Sequence, residues 1–225
     1  MLTARLMISV AVGMVAMAAY HKYGPKLALA TEKFAAFAVS TVAFQGMSLV
    51  FTHFFLRGEA VSWSEFLDLG HPNLRRALLM GCITGILVVP GALLFNAVSE
   101  ILLTMLQGQP ETQPTVQVLQ LTVTVGQRVC FAFAAIVLAP ICEEILFRGI
   151  LYRVLKQFGW PRVALVASSL FFGLIHGNPM TLIPLSFLAV VLALLYDQTD
   201  NLMAPIVAHA LFNAVNFSTF FLFPK

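Results

Sequence analysis

The sequence predicts an all-α fold: a polytopic helical membrane protein of about seven (six to eight) transmembrane helices. Three observations carry this expectation. Sixty per cent of the residues are hydrophobic, only 10% are charged where a soluble domain has about 25%, and the mean hydropathy is +0.90. The apolar residues also fall in runs of the ~20 residues that a helix needs to cross a bilayer. At 225 residues the chain has room for one membrane domain with short connections and no sizeable soluble domain. A net charge of +3 is modest for this length and no basic run suggests a nucleic-acid partner, so the lipid bilayer is the expected surroundings. Cys82, Cys130 and Cys142 are isolated in apolar sequence, without the paired spacing of a zinc site or a disulfide framework, and read as small core residues.

In chain order, Arg5 precedes an apolar run from Leu6 to Tyr20. Ala16-Met17-Ala18 fits a signal-peptidase site, but the several spans that follow favour an uncleaved first span. After Lys22, Lys26 and Lys33, a second span covers about Phe34 to Phe55. The stretch Leu56 to Arg76 is the most hydrophilic of the chain, and Trp63 and Phe66 beside its charges suggest a short amphipathic surface helix. A third apolar run, about Ala77 to Leu106, is interrupted at Val89-Pro90-Gly91, and Gln107 to Thr115 reads as an exterior loop. From Leu121 the chain stays helix-compatible to about Gln157, turns at Phe158 to Arg162, and is apolar again from Val163 to His176. Gly177-Asn178-Pro179 is a strong helix stop. Two more spans follow, about Met180 to Tyr196 and Leu202 to Phe223, joined by a turn at Asp197 to Asn201. Two regions result: residues 1–120, holding N-terminal spans and the surface loop, and residues 121–225, a transmembrane core, within one membrane domain.

Loop charges orient the chain. With the N-terminus inside, eight of the thirteen Lys and Arg are cytoplasmic: Arg5, Arg57, Arg75, Arg76, Arg148, Arg153, Lys156 and Arg162. The positive-inside rule therefore favours a cytoplasmic N-terminus and an exterior C-terminus, with Lys22, Lys26 and Lys33 the opposing evidence.

The chemistry concentrates in Glu143-Glu144-Ile145-Leu146-Phe147-Arg148. An ionised side chain at the bilayer centre costs ~2.5–3.5 kcal/mol on insertion scales, so three charges in six residues point to function. Glu144 and Arg148, at i and i+4, can pair on one helix face, which leaves Glu143, about 100° around the helix, for a cavity. A helical hairpin turning at Gly159 to Pro161 sets Glu143 and His176 at equal depth, each about 24 Å of helix from the turn. In the last span His209 and Asn213 share a face. A carboxylate with imidazoles can activate water, and an imidazole with an amide can hold the oxyanion formed when water attacks a carbonyl.

Glu143-Glu144-x-x-x-Arg148, Phe172-x-x-x-His176 and His209-x-x-x-Asn213 resemble, in order, the three signature motifs of the CPBP family, the CAAX-protease and bacteriocin-processing (Abi) intramembrane endopeptidases. The resemblance covers about Phe131 to Phe217. It implies a conical or cavity-type active site in the bundle, with Glu143 the base that activates water together with His176, and His209 and Asn213 the oxyanion donors. Glu144 and Arg148 would be supporting residues, and Phe172 would line the site. It further implies a membrane-anchored peptide or protein substrate, processed in CAAX, leader or C-terminal tail fashion, and a multi-pass location in a bacterial cell (inner) membrane. No cofactor is favoured. If a metal were used, zinc bound by Glu143, His176 and His209 would be the set, but catalytic zinc needs three ligands in a tight tetrahedron and no His-Glu-x-x-His is present.

Each residue also has a plainer role. Glu144 with Arg148 makes a structural buried pair, Phe172 packs, and a lone intramembrane His bonds helix to helix. His21, His53 and His71 fall at span ends or in loops and read as solvated or interfacial; Asn178 and Asn216 match no motif. Two other function classes compete: a proton-coupled transporter relaying protons through Glu and His, and a non-catalytic bacteriocin-immunity or scaffold membrane protein.

Overall fold

The computed structural model describes residues 29–106, 114–122 and 124–222, with isolated positions before 29. Most of the first apolar run, with Ala16 and Met17 of its signal-peptidase pattern, His21 and the polar stretch 107–113 lie outside the described residues.

Among the described residues the secondary structure is helical: α1 (Leu29–Gly58), α2 (Trp63–Phe66), α3 (Leu74–Met105), α4 (Pro114–Gln120), α5 (Val125–Gln157), α6 (Pro161–Ile175), α7 (Pro179–Thr199) and α8 (Met203–Leu222). Five of these are long and apolar enough to cross a membrane: Ala30–Gly58, Leu74–Met105, Val125–Gln157, Pro179–Thr199 and Met203–Leu222. The protein is therefore a multi-pass integral membrane protein. Of the seven expected spans, most of the first lies outside the described residues. The run ending at His176 forms the 15-residue α6, about 22 Å long at 1.5 Å per residue and short of the ~30 Å hydrocarbon core.

Helix ends follow local chemistry. Gly159 takes φ +82°, which a residue without Cβ adopts freely, and Pro161 opens α6 at a position where its missing N–H costs nothing. At the other end of α6, Gly177 has φ +64°. Asn178, which matched no motif, caps α7 by accepting a hydrogen bond from Met180 N at 2.8 Å. The expected interruption at Pro90 does not occur: α3 runs through it. There the missing side chain of Gly91 makes room for the Phe187 ring, which lies 2.8 Å from where a Cβ would sit.

The described chain forms two compact units, residues 1–63 with 114–134, and residues 64–113 with 135–225. In the first, Phe37 stacks on Phe131 at 4.7 Å, and His53 stacks on Trp63 while accepting its indole N–H at 3.2 Å. In the second, α3, α7 and α8 share a core of Ala77, Val88, Ala92, Leu188, Leu192, Leu195, Ala204, Ala208 and Phe212. Its seam is made of small residues. A Cβ on Gly81 would lie 2.6 Å from the Ala204 carbonyl oxygen, and one on Gly85 would lie 2.7 Å from that of Ala208. In lipid, where apolar burial between helices gains little, such close backbone contact is what holds helices together.

At one end of this unit the chain ties itself together. Asn201, fully buried, donates to the Asp68 carbonyl at 3.0 Å and accepts from Met203 N at 2.9 Å. The segment around Asp68, the end of α5 and the turn between α7 and α8 therefore share one end, as the loop-charge topology requires. The cysteine expectation needs correction: Cys142 is buried, but Cys82 and Cys130 are exposed. A helix facing hydrocarbon has no reason to hide a small apolar thiol.

Candidate active site

Helix α5 changes pitch around the acidic pair. It is π-helical over Ala134–Leu138, α-helical over Ala139–Glu144 and π-helical again over Ile145–Tyr152. Such widened turns recur at functional sites because they redirect side chains and carbonyls out of register.

Glu144 is fully buried. Its Oε1 accepts from Arg148 NH1 at 2.7 Å and faces His209 Nδ1 at 2.8 Å. Arg148, 3% exposed, also donates through NH2 to the Ala189 carbonyl on α7 at 2.9 Å, and its guanidinium lies 5.1 Å from the Phe172 ring centroid. Glu144 Oε2 has no hydrogen-bond partner among the described residues. Removing a partner from so buried a carboxylate would be costly, because nothing replaces the lost solvation.

The Glu144–Arg148 pair forms as the i, i+4 spacing implied, and Glu143 also reaches the ring that Glu144 holds: its Oε2 lies 3.8 Å from His209 Nε2. The imidazole thus has one nitrogen on each carboxylate, hydrogen-bonded to Glu144 and within ion-pair range of Glu143. Two long side chains diverging by about 100° can bracket a ring that enters between them from another helix.

Phe172 is completely buried and joins the parts. Its ring centroid is 4.9 Å from that of His176, 5.8 Å from His209 and 4.9 Å from Phe147. Its carbonyl meets His176 Nδ1 at 2.7 Å. A carbonyl only accepts, so Nδ1 carries a proton and Nε2 is the nitrogen left for other partners. Asn213, one turn beyond His209, donates to the Ala135 carbonyl in the first π segment at 2.8 Å. The α8 face bearing His209 and Asn213 is therefore fastened to α5 at two heights. Among the described residues no three His, Cys, Asp or Glu side chains are grouped closely enough to hold a metal ion.

Several contributors escaped the sequence reading. The Gly81 and Gly85 seam was visible as a Gly-x-x-x-Gly in an apolar span. The Ala189 carbonyl that orients Arg148 has no sequence signal, and neither does Phe66, which fills the notch left by Gly149: a Cβ there would meet its ring at 2.7 Å.

Residues 125–215 match the family model described as Rce1-like, Type II CAAX prenyl endopeptidase Rce1-like. A Bacillus subtilis (strain 168) protein described as "Putative membrane peptidase YdiL" is 32% identical over 77 residues. That similarity covers 34% of this chain and 32% of the relative, so the chain spans about a third of the curated protein it matches. No solved structure matches. The family match takes in Glu143, Glu144, Arg148, Phe172, His176, His209 and Asn213 together, and the stretch from 125 to 215 is an Rce1-like, CPBP-family region.

Proposed function

We propose that this protein is an intramembrane endopeptidase that hydrolyses a peptide bond in a membrane-associated protein or peptide, in the CAAX, leader or C-terminal tail manner, with Glu143 as the general base. The observation that carries the reading is His209 held between Glu143 and Glu144 inside an apolar span. Packing alone does not call for two carboxylates on one buried imidazole, whereas moving protons does.

The steps follow from the side chains. Water gives a proton to Glu143, assisted by the unprotonated Nε2 of His176, and its oxygen adds to the substrate carbonyl carbon. The oxyanion is met by the Nε2–H of His209 and by the N–H of Asn213 that Ala135 does not take. A doubly protonated His209 donates from both nitrogens and brings the formal charges of Glu143, Glu144, Arg148 and His209 to −1 −1 +1 +1 = 0. On collapse the C–N bond breaks and Glu143 passes its proton to the leaving amine. Glu144 and Arg148 fix the ring of His209, and Phe172 sets the spacing of both imidazoles.

The reaction is metal-free in this reading, and purified enzyme should keep its activity in a strong zinc chelator. Loss of activity restored by added zinc would replace the glutamate mechanism with a metal one. For the whole reading, membrane peptides and protein C-termini are compared between cells carrying wild type and Glu143→Ala at equal expression. A product that vanishes as its precursor accumulates supports the enzyme and names the substrate. Unchanged termini with an intact wild-type phenotype would leave an immunity or scaffold protein instead.

A further inference from the structure

A cavity of about 280 Å³ lies away from the acidic pair, at the end of α5 and the C-terminus of α7, lined by Arg153, Lys156, Gln157, Tyr196, Asp197 and Asp200. It sits where two membrane spans end, at Gln157 and Thr199. Phe158 and Trp160, in the turn beside it, are 71% and 69% exposed. Exposed aromatics at the end of a span mark the headgroup level of a bilayer.

The cavity has charges of both signs, and most are already engaged. Asp197 accepts from Tyr152 OH at 2.6 Å and from Lys156 Nζ at 2.7 Å. Arg153 Nε donates to Tyr196 OH, and its guanidinium lies 3.6 Å from Asp68 Oδ2. What is left over is specific. Lys156 has two further N–H donors, and Tyr196, having accepted from Arg153, keeps its own proton to give. The Asp200 carboxylate is exposed, has no hydrogen-bond or ion-pair partner among the described residues, and is held at the cavity by a left-handed backbone with φ 45°. Within the lining, Arg153 and Lys156 balance Asp197 and Asp200 (+2 −2 = 0), and Asp68 beside Arg153 adds a further carboxylate close enough to act on Asp200. A polyanion would meet these carboxylates and a polycation the two cations, whereas a zwitterion can set its phosphate on Lys156 and its ammonium on Asp200.

We propose that this cavity binds a phosphoethanolamine headgroup of a membrane phospholipid, the phosphate taken by Lys156 Nζ and Tyr196 OH and the ammonium by Asp200. The primary ammonium matters, since Asp200 can accept its N–H groups but gets no hydrogen bond from a trimethylammonium. The site stands independently of the proteolytic reading.

The test reconstitutes the full chain in nanodiscs of equal phosphatidylethanolamine and phosphatidylcholine, extracts it in mild detergent and counts retained lipids by native mass spectrometry. Wild type should retain phosphatidylethanolamine over phosphatidylcholine by about fivefold or more, the scale of one charge-assisted hydrogen bond. Asp200→Asn, which keeps the left-handed backbone that Asn tolerates and breaks no internal contact, should bring that ratio close to one. Asp200→Glu, if folded, should keep a preference. Equal retention of the two lipids by wild type, or a preference unchanged in Asp200→Asn, would overturn the proposal. Displacement of the lipid by soluble glycerophosphoethanolamine, with equal thermal stabilisation, would overturn the lipid assignment in favour of a free phosphoamine.

Discussion

His209 depends on two carboxylates that do different work, and the difference can be measured. Glu143 is 17% exposed at its side chain and makes no side-chain hydrogen bond among the contacts described, so Glu143→Gln should cost less stability than a change at Glu144 or Arg148 while lowering turnover by about 10²–10⁴, the usual contribution of a general base. Glu144 is the anchor of a buried network. Arg148→Met strands its charge and should cost about 3–5 kcal/mol of stability, whereas the double variant Glu144→Gln with Arg148→Met should recover most of that loss. A double variant as unstable as the single would mean that the pair is not what stabilises this helix. Asn213→Ala should reduce turnover by about 10²–10³ if its free N–H meets the oxyanion, and an undiminished rate would remove it from that role.

Asp68, outside the spans, carries a pH dependence. Burial pushes its carboxyl above the ordinary 3.8, with the nearby Asp200 adding to the rise and Arg153 and His71 opposing it. A raised folded value means that the folded state holds this proton more tightly than the unfolded chain. The stabilisation is complete below 3.8 and is lost as pH rises through the folded value. Asp68→Asn mimics the protonated form and suits the positive φ of 54°. The variant should match or exceed wild type in unfolding midpoint at neutral pH, with the gap closing on acidification; a gap that widens would reverse the sign.

Among the helices, the contact between α3 and α8 bears on the site because Ala208 precedes His209 in sequence. A Cβ at Gly85 meets Ala208 O at 2.7 Å, Leu211 Cβ at 2.9 Å and Ala208 Cα at 3.0 Å, mostly backbone that cannot rotate away. Gly85→Val should therefore cost about 1–3 kcal/mol, the range for overpacking, and lower activity by displacing His209. Gly46→Ala on α1, with nothing within 4 Å, should be neutral or slightly stabilising because Ala is the better helix former. Equal effects at the two glycines would argue against the seam. Helix α6 stops short for a comparable local reason: Gly177 and the Asn178 cap end it just past His176, which places the ring at a helix terminus where the Phe172 carbonyl can fix its tautomer.

For the whole molecule, the contacts of Asp68 with Asn201 and Arg153 require the segments around Pro72, Phe158 and Gln198 to emerge on one membrane face. In a background with Cys82, Cys130 and Cys142 replaced, single cysteines at these exposed positions should label together from the cytoplasm, and one at Leu106 from the opposite side. Labelling of the three from different faces would refute the arrangement; labelling of all three from the exterior would invert the orientation that the loop charges favour.

How much of this was legible in the chain depends on what each feature is made of. The all-helical membrane class, the turns at Gly159 and Gly177 and the seven motif residues were readable, because hydropathy, glycine and proline geometry and spaced charged residues are properties of short stretches. The sequence determined that Glu143, Glu144, Arg148, Phe172, His176, His209 and Asn213 are candidates and that they lie in apolar, helix-forming stretches. Tertiary structure alone decided that both glutamates reach His209, that Arg148 leans on the Ala189 carbonyl and that Asp200 is left unpaired beside Lys156. Those facts depend on where one helix places its backbone and side chains against another. Periodicity along a single strand of sequence fixes the face of each helix, but not which ring, carbonyl or cation from a distant segment will stand opposite it.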